Sequence, residues 1–235
     1  MEELLCVLAV PSFIAMLAIY TVVAGLYERR NAQPYAVPEP GEEYAETAYA
    51  KRANDVAEAL GFTHEGFAHH AKWYFRVRYD YWRSPNGETV AMVGGGKTAT
   101  VPLAVRNVRL FSRRTDGLAV LTTDEVGDQE ISGVVLYSVW PNYTFDQLCE
   151  RHAAQLAKSA AVPFAKGEAI RGVLEIHRLG IDAMVARGWA YYHDLGESTW
   201  SFTFAGAVRF YVLGVWVRPI RRLLRSVGIV RDWKR

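Results

Sequence analysis

The chain has 235 residues, 51% hydrophobic and 22% charged, a balance that excludes wholesale disorder and leaves room for an apolar segment plus one domain of roughly 170 residues. A net charge of +2 is too small to argue for any partner, nucleic acid included. The only cysteines are Cys6 and Cys149, and Cys6 lies in the apolar segment, which excludes a disulfide framework.

No residue from Leu4 to Tyr27 is charged, and a helix of roughly 24 residues reaches about 36 Å, enough to cross a bilayer core. Glu2 and Glu3 stand where a signal peptide would carry basic residues, and Ala24-Gly25-Leu26 is a poor cleavage site. A retained signal-anchor is therefore expected over a cleaved leader. Arg29 and Arg30 follow directly, so the positive-inside rule predicts a single-pass membrane protein with residues 28 onward in the cytoplasm. The expected division is a transmembrane anchor at 1–30, a linker at 31–41 containing Pro34, Pro38 and Pro40, a soluble domain at 42–201, and a membrane-interface segment at 202–235.

Within the soluble part, Ala45, Ala48, Ala53, Val56, Ala57 and Leu60 recur at helical spacing, with Gly61 placed to end the helix. From Trp73 to Arg83 the period changes to two, the mark of a half-buried strand. Turn signals at Ser84-Pro85-Asn86-Gly87, Gly94-Gly95-Gly96 and Asp116-Gly117 divide the next stretch into strands of an antiparallel meander. A further strand is read at Val134–Val139. Thr144 and Gln147 fit a capping box ahead of the stripe Phe145, Leu148, Cys149, His152 and Leu156. Ile170, Val173, Leu174, His177, Ile181, Met184 and Val185 form a second stripe, closed by Gly188. A last hairpin is expected at Trp189–Tyr192 and Thr199–Phe204, around Leu195-Gly196-Glu197. Strands followed by helices predict an α+β fold: an antiparallel meander sheet with helices packed on one face, preceded by the transmembrane helix.

Phe202 to Val217 is apolar but short, with Arg209 at its centre, and is expected not to span. The competing topology is a membrane hairpin with both termini cytoplasmic. Beyond it, Arg218, Arg221, Arg222 and Arg225 interleave with Ile220, Leu223, Leu224 and Val227, which reads as an amphipathic helix on anionic lipid.

Chemical motifs are sparse. Gly94-Gly95-Gly96-Lys97-Thr98 lacks the first glycine of a phosphate loop, since Ala91 stands there, and no helix follows; a flexible hairpin tip is expected. Cys149 and His152 lie three apart on one helix face, and His177 on the next helix could converge with them on zinc. The competing reading is a core histidine beside a small buried thiol, without metal. His64, His69 and His70 fail the zinc-protease spacing and are read as loop residues. The acidic run Asp124–Glu130 lacks the ligand order of a calcium loop. No nucleophile triad can be justified from spacing. Charge is uneven: from Gly61 to Arg114 there are nine basic residues against three acidic ones, among them Arg76, Arg78, Arg109 and Arg113. These form a candidate surface for an anionic partner. The expected function is therefore a membrane-anchored, non-enzymatic binding module with no cofactor. Its expected partners are membrane lipid or a protein, with nucleic acid disfavoured; the alternative is a tethered enzyme or metal-binding protein.

Overall fold

The structure, a computed structural model, describes residues 2–32, 46–72, 75–98, 104–125, 131–157, 159–194, 196 and 198–217. In chain order the elements are α1 (Glu2–Tyr27), β1 (Arg30–Asn31), α2 (Ala48–Ala59), β2 (Thr63–Lys72), β3 (Phe75–Arg83), β4 (Val90–Thr98), β5 (Ala104–Arg114) and β6 (Ala119–Thr123). They continue with β7 (Val135–Val139), α3 (Phe145–Leu156), β8 (Ala161–Val162), α4 (Ala169–Ala186), β9 (Ala190–Tyr192), β10 (Thr199–Phe202), α5 (Phe204–Ala207) and a π-type helical turn, Val208–Val217. The chain forms two units, residues 33–128 with 133–180, and residues 1–32 with 129–132 and 181–235. The class is α+β.

The first of these units is built on a sheet in which β2 to β6 follow one another antiparallel in sequence order. β7 then joins β6 in parallel, with Ala119 opposite Val135 and Thr123 opposite Val139, so the sheet is mixed and not the purely antiparallel meander expected. Side chains alternate across it. Val77, Tyr79, Tyr81, Met92 and Phe111 turn to one side and pack on Ala169, Val173 and Ile176 of α4. The intervening Trp82, Ala91, Val93, Val108 and Leu110 turn to the other, against Ala53 and Ala57 of α2 and Phe145 and Leu148 of α3. Helices thus cover both faces, which corrects the one-face arrangement. Tyr81, Met92, Leu110 and Leu148 lose all solvent contact, each contributing roughly 1.5–3 kcal/mol to the fold.

Gly94, Gly95 and Gly96 are not a hairpin tip. They sit inside β4, paired with Tyr79, Arg78 and Val77 of β3 on one side and Asn107, Arg106 and Val105 of β5 on the other. A Cβ on Gly95 would collide with Thr47 Oγ1 and lie against Ala50 Cβ, while one on Gly94 would meet Asn107 Oδ1 and Tyr79 on the opposite face. Gly95 lets the start of α2 approach the sheet backbone closely, and Gly94 leaves room for Asn107 and Tyr79 on the other face. Thr47 also caps that helix, its hydroxyl accepting from Ala50 N–H at 3.2 Å. His64, His69 and His70 likewise fall in strand β2 and not in a loop.

A buried carboxylate ties α2 to β2 and β3. Asp80, 1% exposed, accepts from Arg78 Nη2 at 2.8 Å, His64 Nε2 at 3.2 Å and Asn54 Nδ2 at 3.3 Å. Asn54 in turn accepts from the Trp82 indole N–H at 2.8 Å. Burial alone would raise the Asp80 pKa, but the His64, Arg78 and Asn54 donors outweigh it and hold the carboxyl below its ordinary value.

The other unit contains a small sheet ordered β1-β10-β9, with Arg30 opposite Trp200 and Trp200 opposite Tyr192. The β9–β10 pairing is the hairpin read from the sequence. Val22 of α1, Trp200, Phe202, Ala207, Ile181 and Met184 share its core. Gly25 of α1 leaves the space that the Tyr211 ring occupies. Among the described residues, no helix is long and apolar enough to cross a membrane. This overturns the transmembrane anchor, the signal-anchor and the single-pass membrane localisation, together with the cytoplasmic placement drawn from it. The physical reason shows at Arg30, read from sequence as a charge flanking a membrane span. Its guanidinium stacks on Phe202, Trp200 and Phe210 at 4.7–5.5 Å and donates to Glu28 Oε2 and the Tyr211 hydroxyl. The residues following α1 thus carry a strand and a cation–π cluster. Phe202–Val217 is divided likewise among β10, α5 and the π-type turn, with Arg209 stacked on Trp189 at 4.2 Å. Of the expected linker only Asn31 and Ala32 lie within the described residues: Asn31 pairs with Thr199, and Ala32 N–H donates to the Ser198 carbonyl at 2.8 Å.

Two measurements test this account. Gly95→Ala should lower stability by about 1–3 kcal/mol in urea unfolding, the range for overpacking at a tight site; a hairpin tip would tolerate it. Asp80→Asn should cost about 3–5 kcal/mol, because it leaves the half-buried Arg78 without its counter-charge. The Asp80 carboxylate contributes its stability above the unfolded pKa of about 3.9, and that is lost as pH falls through the lower folded value. Stability measured against pH should therefore lose its steepest acid limb below about pH 4 in the Asn variant.

Candidate functional site

Helix α3 starts where Thr144 N–H donates to Gln147 Oε1 at 3.1 Å, the reciprocal half of the capping box legible in the sequence. Its spacing then turns Phe145, Leu148 and His152 onto the sheet. His152, 1% exposed, reaches Ser112 Oγ of β5 through Nε2 at 2.8 Å and Thr122 Oγ1 of β6 through Nδ1 at 2.9 Å. The Ser112 hydroxyl donates to the Glu88 carbonyl at 2.6 Å, so its oxygen accepts from Nε2–H. The neutral ring is thus protonated on Nε2, and Nδ1 accepts from Thr122. Behind Thr122 the chain continues through Ser138 at 3.3 Å to Gln155 Nε2 at 2.5 Å. Burial drives the His152 pKa down to about 3.

Beside this histidine lies an open groove of about 680 Å³, within the range of small-molecule sites. One wall is the β3–β4 turn, with Ser84, Asn86, Glu88 and Thr89. The other is the far half of α3 and the chain after it, with Ala153, Leu156, Ala157, Ala160 and Ala161. Phe62, Cys149 and His152 complete the lining. Burial, with a smaller contribution from the Asp146 charge, pushes the Cys149 thiol up to about 12. Neither Cys149 nor His152 is poised to move a proton near neutral pH, since one stays a thiol and the other a neutral ring held at both nitrogens.

The sequence placed Cys149, His152 and His177 together as possible metal ligands; the fold separates them. Cys149 and His152 belong to α3 on one face of the sheet. His177 belongs to α4 on the other, its ring 5.9 Å from that of Phe111. No group of three such side chains able to hold a metal occurs among the described residues.

The arginines of the basic stretch are divided too. Arg78 shares the α2 face with Asp80, whereas Arg109 and Arg113 turn to the α4 face. There Arg109 donates to Glu125 at 2.5 Å, and Arg113 donates to Glu175 at 2.8 Å while stacking on Phe164. Arg83 pairs with Glu65 at 2.7 Å and Arg114 with Asp116 at 2.6 Å. The stretch is thus interleaved with acids, Glu65 and Asp80 from within it and Asp116, Glu125 and Glu175 from beyond it. Arg76 lies opposite Lys97 in the β3–β4 pairing, and its side chain falls outside the described residues. Arg218, Arg221, Arg222 and Arg225 lie outside them as well. Asp124, from the acidic run, accepts from Tyr49 OH at 2.8 Å and Val108 N–H at 2.7 Å. Burial raises its pKa.

Ser112, Thr122 and Glu88 escaped the sequence reading because isolated hydroxyls and a turn glutamate carry no spacing signal. The turn that presents Glu88 was visible as Ser84-Pro85-Asn86-Gly87.

In the ¹⁵N spectrum of the imidazole, His152 should show the Nε2–H tautomer, with a slowly exchanging ring proton. Because its folded pKa lies below the unfolded value of about 6.5, the unfolded chain binds the extra proton first. Stability should then fall as pH drops below about 6.5, by up to roughly 1.4 kcal/mol per unit, until the folded value is reached. His152→Leu should flatten this limb between pH 6 and 4, whereas a titration unchanged by the substitution would contradict the assignment. Compared with known protein families, curated proteins and solved structures, the chain matches none.

Proposed function

We propose that the chain is a binding module whose sheet unit takes a small molecule in the groove between the β3–β4 turn and α3. The observation that carries this reading is the groove itself: about 680 Å³, with a largely apolar wall, a polar rim and a rigid base. The rigidity comes from His152, whose two ring hydrogen bonds hold α3 to β5 and β6 and keep the groove from collapsing. Binding without catalysis is favoured because the two side chains that could do chemistry there, Cys149 and His152, have pKa values displaced away from neutrality in opposite directions. Arg78, Arg109 and Arg113, which suggested an anionic partner, face carboxylates of the same unit, which leaves the groove as the better supported contact surface.

Ala153 is exposed on the groove wall, so Ala153→Trp should fill the space without disturbing the core. Amide chemical shifts of the full chain, followed during titration with a panel of small organic molecules, should move first at Ser84–Thr89 and at Leu156–Ala161 and not move in the Trp variant. Shifts confined to other surfaces, or identical in both proteins, would refute the groove as the site.

A further inference from the structure

We propose that the groove selects a small amphiphilic cation, a protonated amine bearing a short hydrocarbon chain, whose ammonium group sits on the Glu88 carboxylate. The inference rests on the groove reading above and adds the chemical class of the ligand.

Glu88 is held in place by its own turn. Asn86 Oδ1 accepts from Ser84 Oγ at 2.7 Å and from Glu88 N–H at 3.1 Å, and Asn86 Nδ2 donates to Glu88 Oε2 at 2.7 Å. Ser84 Oγ accepts in turn from Thr89 N–H at 3.0 Å. Gly87 makes the loop possible: it adopts φ +74°, and a Cβ there would press on Arg83 and on the Phe164 carbonyl. One carboxylate oxygen is therefore fixed by an amide, on a residue that lines the groove.

The contrast with the arginine-paired acids of the same unit gives the charge argument. Glu65, Asp80, Asp116, Glu125 and Glu175 each face an arginine of the sheet at 2.5–2.8 Å. Glu88 faces none among the described residues; its one described donor is the neutral Asn86 amide. A carboxylate oriented in advance and lacking a counter-ion at the edge of a groove is arranged to receive a cation. Among the described residues the lining adds no opposing positive charge, since His152 is a neutral ring and Cys149 a neutral thiol. Across from the carboxylate, Phe62, Ala153, Leu156 and Ala157 offer apolar surface for a hydrocarbon chain.

The test is a titration of the full chain with hexylamine, 1-hexanol and hexanoate, which share chain length and differ in head group, followed by amide chemical shifts. Hexylamine should bind about tenfold tighter than hexanol, the range for one hydrogen bond to a charged group, and hexanoate weakest. The amine preference should shrink as salt is raised. Glu88→Gln keeps an oxygen for Asn86 to donate to and removes the charge; it should bring hexylamine down to the hexanol affinity of the same variant, while amide shifts of the ligand-free variant that change only around Glu88 report that the groove is intact. Equal binding of amine and alcohol by the unsubstituted chain, or an amine preference that survives in Glu88→Gln, would overturn the cation assignment while the groove reading stands. No groove response to any of the three would overturn both.

Discussion

One hydrogen-bonded ring sets where α3 can lie. His152 bridges hydroxyls on two neighbouring strands, and because the donor direction is fixed at the Ser112 end, the whole row from Gln155 to the Glu88 carbonyl can be satisfied in only one sense. The neutral ring costs little to bury while both nitrogens are paired, whereas leaving either unpaired would cost about 1–3 kcal/mol. The groove, the inertness of Cys149 and the position of the β3–β4 turn relative to the helix all follow from that seating.

A second constraint is steric. Gly95 of β4 gives up side-chain packing on a central strand, a local loss that the close approach of α2 offsets. Without it Thr47 could not both cap its helix and lie over the sheet. The polar cluster at Asp80 then fastens the same helix further along, through Asn54 and the indole of Trp82. Each helix of the sheet unit is thus fastened by a specific polar contact set within a generic apolar interface: α2 by Asp80, α3 by His152, and the start of α4 by the buried Glu65 carboxylate, which accepts from Ala169 N–H at 3.1 Å.

Much of the secondary structure was legible because local signals and tertiary structure agree. The capping box at Thr144, the stripe that became α4, the period-two run of β3 and the final hairpin all carry their information within a few residues. Three readings failed where the deciding information is distant. Glycine repeats look alike in a turn and beneath a packed helix, and only Thr47 and Ala50 distinguish the two. The parallel register of β7 depends on a crossover that no local pattern encodes. The apolar stretch near the N-terminus resembled a membrane span because hydrophobicity alone does not report a cluster such as Arg30 among Trp200, Phe202 and Phe210. The site was less legible than the fold. Cys149 and His152 were singled out correctly as neighbours, but nothing in the spacing could say that His177 would lie beyond the sheet, or that a turn glutamate would be left without an arginine.

The parallel strand has an architectural corollary. Between β6 and β7 the chain leaves the sheet unit, and residues 129–132 count with the terminal unit, where Ile131 is buried. A chain that crosses in this way has no pair of cut points that frees the sheet intact: trimming at 32 and 180 would strip Ile131 of its apolar surroundings while the segment remained covalently fixed between two strands. Any attempt to transplant the groove must therefore carry or redesign the segment around Ile131.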